Sequence, residues 1–120
     1  MQLEQLVRLQ YKFDAAHSSE FDWSAKIDPR STRPIVHSVI ALAGEVGEIA
    51  NLVKKFDRGD ADVAQVIAGL TDELADVLAY VFKLAYQCDI DLEQAYLSKM
   101  ETNTDRFRWA EGNGPQAGED

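Results

Sequence analysis

The sequence predicts an all-α protein, a four-helix bundle completed by oligomerisation. Three observations carry this. Apolar residues recur at helical steps over most of the chain. No run alternates apolar and polar residues as a half-buried strand does. Turn-forming clusters at Asp28-Pro29, Arg33-Pro34, Asp57-Arg58-Gly59-Asp60 and Cys88-Asp89-Ile90 cut the chain into four periodic segments. There is no internal repeat and no glycine-rich phosphate loop, so strand-based nucleotide sites do not apply.

The first helix is predicted from Leu3 to about Ala16, where Leu3, Leu6, Val7, Leu9, Tyr11 and Phe13 follow helical spacing. Residues 18 to 34 form a loop, because its prolines remove backbone donors and bias the residues before them away from helix. Pro34 suits the first turn of the second helix, predicted from about Ile35 to Phe56. In that helix Ile35, Val39, Leu42, Val46, Ile49 and Val53 make the stripe of a bundle helix. The third helix spans about Asp62 to Gln87, with Val63, Val66, Ile67, Leu70, Leu74, Val77, Val81 and Leu84 as its apolar side. Asp91 and Gln94 read as the capping start of a fourth, running to about Trp109. Residues 1–109 are expected to form the domain, and 110–120, with little to anchor them, a flexible tail.

At 120 residues the chain fits one core. With 46% apolar and 28% charged residues it has the composition of a folded globular protein. A net charge of -9 argues against a partner with a phosphate backbone, since gripping a nucleic-acid polymer needs a basic face. A small anion is not excluded, provided the carboxylates hold cations that it also touches. The lone Cys88 fits a reducing compartment and a buried structural thiol. No basic region followed by an apolar run opens the chain, and no segment reaches the ~18 apolar residues of a membrane span. The expected location is cytoplasmic, with no membrane partner.

The carboxylates are unusually placed. At ~100° per residue Glu45 and Glu48 share a flank of the second helix with Ala41 and Leu52, beside the apolar stripe. That flank predicts partial burial, as though the helix packed on two sides. Gly44 and Gly47 interrupt the helix where Ala would favour it by ~1 kcal/mol, which predicts close approach by another backbone or a ligand. Glu73 and Asp76 repeat the spacing on the third helix, and Tyr80 and Lys83 extend the same flank. One Glu-x-x-Glu is usually a solvated face. Two pairs beside core stripes, brought together by antiparallel packing, cannot all stay ionised without a cation between them. All-oxygen ligands select a hard ion, magnesium or manganese. On the fourth helix Lys99, Asn103 and Arg106 fall on one face, suited either to phosphate oxygens or to a solvated basic strip near a helix C-terminus.

The segments from Ala41 to Ala50 and from Asp72 to Tyr80 resemble the Glu-x-x-Glu, spacer, Glu-x-x-Asp motif of the MazG-like, all-α nucleoside triphosphate pyrophosphohydrolases. Lys99-x-x-x-Asn103-x-x-Arg106-Phe107 resembles the last motif of that superfamily, and the likeness covers about residues 20 to 108. It implies that Glu45, Glu48, Glu73 and Asp76 ligate magnesium, with manganese as a substitute. It further implies that Lys99, Asn103 and Arg106 contact phosphates, and that Tyr80 touches the sugar or base. Lys54 and Lys55 would either add phosphate contacts or be surface lysines. Phe21-Asp22-Trp23 and Asp28-Pro29-Arg30 are similar to the dCTP pyrophosphatase branch, in which a loop aromatic stacks on the base. The chain departs from that branch at Asp28, where a histidine is usual, and in a longer approach from Ser31 to Val36. Trp23 is thus the candidate stacking residue, the other reading being a loop tryptophan that covers the core.

The reaction so implied is magnesium-dependent hydrolysis of an NTP or dNTP to the monophosphate and pyrophosphate, in nucleotide-pool sanitation. Glu45 or Glu48 would be the general base, and the active form a homodimer or homotetramer. The rival is a non-catalytic interaction or regulatory module whose acidic flank binds metal or a basic partner. A di-iron carboxylate bundle is disfavoured, because neither acid pair is followed by the histidine such sites use. His37, on the carboxylate side of the second helix, is read as a packing residue or phosphate neighbour, and His17 as a helix-end residue.

Overall fold

The computed structural model describes residues 1–18 and 22–113. It contains α1 (Leu3–Ala16), α2 (Arg33–Asp57), α3 (Val63–Gln87) and α4 (Leu92–Asn113). Among the described residues the only extended pairing is an isolated bridge between Asp28 and Ser31. The predicted all-α class and element order therefore hold. Phe21 and the tail residues 114–120 lie outside the described residues. The chain divides into two compact units, one of Met1–Ile90 and a second beginning at Asp91.

The helix ends follow local chemistry. Pro34 sits in the first turn of α2 and is buried. Gly59, at φ +86°, takes the left-handed conformation that turns the chain after α2. Asp62 and Gln65 form a reciprocal cap at the start of α3: Asp62 Oδ1 accepts from the Gln65 amide at 2.8 Å, and Gln65 Oε1 from the Asp62 amide at 2.9 Å. In the second unit Asp91 Oδ1 accepts from the Gln94 amide at 3.0 Å, the cap expected from the sequence. The α4 helix continues to Asn113, past the predicted end at Trp109.

In the first unit α3 is central, with α2 along one side and α1 along another. The α2 and α3 helices run antiparallel. Buried Ser38, near the start of α2, donates to Gln87 Oε1 at the end of α3 (3.0 Å), while Leu52 late in α2 meets Gly69 early in α3. A Cβ on Gly69 would lie 2.6 Å from Leu52 Cδ2, so this glycine allows a close helix approach. At Gly44 and Gly47 a Cβ would meet nothing within 4 Å, so the close approach expected there is not made within the described chain.

The face of α2 turned inward differs from the predicted stripe. Ser38 is buried and Ala41, Leu42, Glu45, Ile49 and Leu52 are half-buried, whereas Val39, Val46 and Val53 are exposed. On α3, Val66, Leu70, Glu73, Val77, Tyr80, Leu84 and Gln87 turn inward while Val63, Ile67 and Leu74 are exposed. The apolar faces are wider than one neighbour covers, and contact centres on the flank that carries the acids. Among the described residues the buried apolar ones are Val66, Phe82, Ala85 and Tyr86. By length and apolar composition α2 would pass for a membrane span, contrary to the sequence expectation that no segment would. Its acids Glu45 and Glu48 interrupt the apolar run, and Glu45 faces α3.

Candidate active site

Antiparallel packing of α2 on α3 brings Glu45, Glu73 and Asp76 together, with one carboxylate oxygen of each inside a 4.8 Å group. Glu45 and Glu73 are half-buried and Asp76 is exposed. The oxygens Glu45 Oε2 and Glu73 Oε2 are both buried without a hydrogen-bond donor. Two unsatisfied anionic acceptors facing each other are unfavourable unless a proton or a cation lies between them. Without metal, the proton goes to Glu73, whose carboxyl is pushed up to about 7. Hydrogen bonding with Glu45 is the largest cause, followed by burial, hydrogen bonding with Glu48, and the charges of Glu48 and Glu45. Of the four acids singled out by spacing, Glu45, Glu73 and Asp76 form the group, and exposed Glu48 acts on Glu73 from outside it. An all-oxygen cradle with orphaned buried oxygens fits a hard divalent cation.

Farther along α3 is a second group of side chains. Lys83 Nζ lies 4.7 Å from the centre of the Tyr80 ring and 5.2 Å from that of Trp23. It is 3.5 Å from Asp14 Oδ1, and the Lys83 and Asp14 side chains are 12% and 3% exposed. Asp14 also accepts from Gln10 Nε2 at 3.0 Å and from the Tyr86 hydroxyl at 2.5 Å. That hydroxyl is 2.7 Å from the Trp23 carbonyl oxygen. The Trp23 amide donates to Ser18 Oγ at 3.2 Å, and Ser18 Oγ lies 2.8 Å from the Asp14 carbonyl oxygen. Both ends of the Trp23 backbone thus lead back to Asp14. The loop is also tied by the Ile27 amide, which donates to the Gln87 carbonyl at 2.9 Å. His37, half-buried, meets Trp23 edge-on at 6.2 Å, a packing role. Burial raises the Tyr80 hydroxyl above its ordinary value, helped by the charges of Glu45, Asp76 and Asp14. Burial raises Tyr86 further, helped by its bond to Asp14.

Lys54 and Lys55 are exposed in the last turn of α2, about 14–15 Å along the axis from Glu45. Lys99, Asn103 and Arg106 occupy one face of α4, at steps of four and three, within the second unit. His17 ends α1, stacked on Phe13 at 4.2 Å. Cys88 follows α3 and is half-buried.

Residues 37–108 match the sequence profile of the MazG nucleotide pyrophosphohydrolase domain. The chain belongs to the MazG nucleotide pyrophosphohydrolase domain family. It is 40% identical over 109 residues to dCTP pyrophosphatase 1 of Mus musculus, covering 88% of this chain and 58% of that protein. It is 38% identical to dCTP pyrophosphatase 1 of Homo sapiens, again over 88% and 58%. The chain thus spans less than two thirds of these mammalian relatives. The Gene 37 protein of Mycobacterium phage L5 is 33% identical over 101 residues, which cover 80% of this chain and 87% of that one.

The span matched to the MazG profile begins at His37, so it contains the four acids and Lys83 but not Asp14 or Trp23. Asp14, Lys83 and Tyr86 are the site residues that spacing did not single out as functional. A signal was present. Gln10 and Asp14 continue the step of four along the inward side of α1, and Lys83 continues the flank of Glu73, Asp76 and Tyr80.

Proposed function

We propose that this MazG domain hydrolyses nucleoside triphosphates, deoxy forms included, to the monophosphate and pyrophosphate, as in nucleotide-pool sanitation. The observation carrying this reading is the pair of orphaned buried oxygens, Glu45 Oε2 and Glu73 Oε2, grouped with Asp76 on two antiparallel helices. Glu45, Glu48, Glu73 and Asp76 would hold magnesium, or manganese in its place. The metal supplies charge neutralisation for the triphosphate and orientation of the attacking water. Of the acids, exposed Glu48 is best placed to take the water proton, with Glu45 the alternative. Lys99, Asn103 and Arg106 have the donor chemistry to hold phosphate oxygens and to stabilise charge on the leaving pyrophosphate. Trp23 and Tyr80 offer aromatic faces to the base and sugar. Lys54 and Lys55 receive no role.

The relatives named dCTP pyrophosphatase make dCTP the first substrate to try. The protein is proposed to be cytoplasmic and to work as a homodimer or homotetramer. Val39, Val46 and Val53 on α2, and the groove between α1 and α3 that Leu9, Phe13 and Leu78 line, are apolar surface suited to a second copy.

The deciding experiment is pyrophosphate release from a panel of NTPs and dNTPs with magnesium, with chelator, and with Glu73→Gln. Release that needs metal and is lost in the variant is expected. No release from any nucleotide would overturn the reading in favour of a non-catalytic module, and full turnover in excess chelator would overturn the role given to the metal.

A further inference from the structure

Glu73, Asp76, Tyr80 and Lys83 form one stripe on α3, at steps of three, four and three. Lys83 lies two turns beyond Asp76, about 10 Å along the helix axis. That separation is of the order of a nucleoside, with the acids at the phosphate end and Lys83 at the other.

Among the described residues the surroundings of Lys83 are incomplete for an ammonium. It has three donors and no acceptor function, and its side chain is only 12% exposed. Its carboxylate partner, Asp14 Oδ1, stands at 3.5 Å, longer than the ~2.7–2.9 Å of a strong charge-assisted bond. Asp14 shares its charge with Gln10 and Tyr86 as well. The other contacts of the ammonium among the described residues are the ring faces of Tyr80 and Trp23, which attract the cation but accept no conventional hydrogen bond. The ammonium is thus held between a long carboxylate contact and two aromatic faces, beside a tryptophan still 37% exposed.

We infer that Lys83 is a specificity-determining residue, whose ammonium donates to a carbonyl oxygen of the nucleobase held by Trp23 and Tyr80, with Asp14 as its positioning residue. The inference rests on the proposed nucleotide site. Cytosine, uracil, thymine and guanine each carry a ring carbonyl; adenine carries none. A buried donor left without its acceptor discriminates strongly, so the readout is a reordering of substrates.

The test measures catalytic efficiency with magnesium for dCTP, dTTP, dGTP and dATP, and calorimetric binding of the uncleavable α,β-imido analogues of dCTP and dATP. Wild type should prefer carbonyl-bearing bases. Lys83→Met, which keeps the apolar stem, should lose tenfold or more on those and less than threefold on dATP, through KM and not kcat. Lys83→Arg, which keeps the donors, should preserve the order. Asp14→Asn with Lys83→Met removes both charges and avoids an unpaired buried carboxylate, and should show the same loss if the single variant does not fold. A wild-type preference for dATP, a uniform loss across the panel, or no loss in Lys83→Met would each overturn the inference. If wild type released no pyrophosphate at all, the hydrolase reading would fall separately. Equal binding of the two imido analogues would then overturn the role of Lys83.

Discussion

The Tyr86 hydroxyl offers a direct measure of what the buried network contributes. Tyr86→Phe removes one oxygen and leaves the ring, which sits edge-on to Tyr11 at 5.3 Å. Two acceptors lie within reach, Asp14 Oδ2 at 2.5 Å and the Trp23 carbonyl at 2.7 Å, but the hydroxyl has one proton. The shorter contact to a carboxylate holds that proton, so a single charge-assisted bond is lost. Bonds to charged groups contribute about 1.5–3 kcal/mol, and Asp14, only 3% exposed, cannot turn to water in compensation. A destabilisation of about 2 kcal/mol follows. With an unfolding entropy near 2.1 cal/mol/K per residue, a domain of this size should lose about 8 °C in Tm. The assay is thermal and urea unfolding at one protein concentration, which keeps any assembly equilibrium constant. A double-mutant cycle with Asp14→Asn should return a coupling of about 1 kcal/mol or more. A shift below about 2 °C with no coupling would show that Asp14 does not depend on this hydroxyl, and the account of how Trp23 is held would fail.

The other predictions concern the site. In chelator, Glu73 has a folded pKa of about 7 against an ordinary 4.5, so the folded state binds the proton more tightly. Its contribution is fully present below about pH 4.5 and is lost as pH rises through 7, so the Tm of metal-free protein should fall across that window. Glu73→Gln should flatten the fall and abolish pyrophosphate release, as seen by scanning calorimetry with an activity assay. Lys99→Ala and Arg106→Ala should weaken every nucleotide alike, whereas Trp23→Ala should reorder the panel by about 1–3 kcal/mol per contact, read as catalytic efficiencies. If Lys99→Ala reorders the panel, the two ends have been exchanged. Light scattering at micromolar concentration should show a dimer or tetramer, and Val46→Glu should shift it toward monomer, because it places a charge on an exposed apolar face of α2. A wild-type monomer would refute that assembly.

The acids Glu45 and Glu73 sit in the seam between α2 and α3. Replacing the inward acids with leucine would make a more ordinary seam; the observed seam instead carries Glu45 and Glu73 with unsatisfied oxygens. Such an arrangement is unfavourable in the empty protein and becomes favourable with a cation, so part of the stability is deferred to ligand binding. The raised Glu73 carboxyl is the trace of that arrangement. Asp14 and Tyr86 are also buried polar groups on a helix interface, but they answer each other, while Lys83 beside them has only the longer contact to Asp14.

Helical period, turn clusters and caps determined the four helices, because each depends on residues within a few positions of one another. The Asp91 cap and the Gly59 turn lie where local chemistry put them. The spacing of the acids likewise determined that each pair shares a helix flank. Which side of a helix faces its neighbour was decided only by tertiary packing. The stripe of Val39, Val46 and Val53 has the better apolar pattern, yet Ser38, Ala41, Glu45 and Leu52 face α3. A wide apolar surface admits more than one rotation about the helix axis, and the shape of the partner selects among them. Gly69 shows the same dependence, since its space is taken by Leu52 from another helix. The meeting of Asp14 with Lys83, far apart in the chain, also belongs to the tertiary structure. Period and spacing record which residues share a face; the long-range contact that pairs two charges leaves no mark in either.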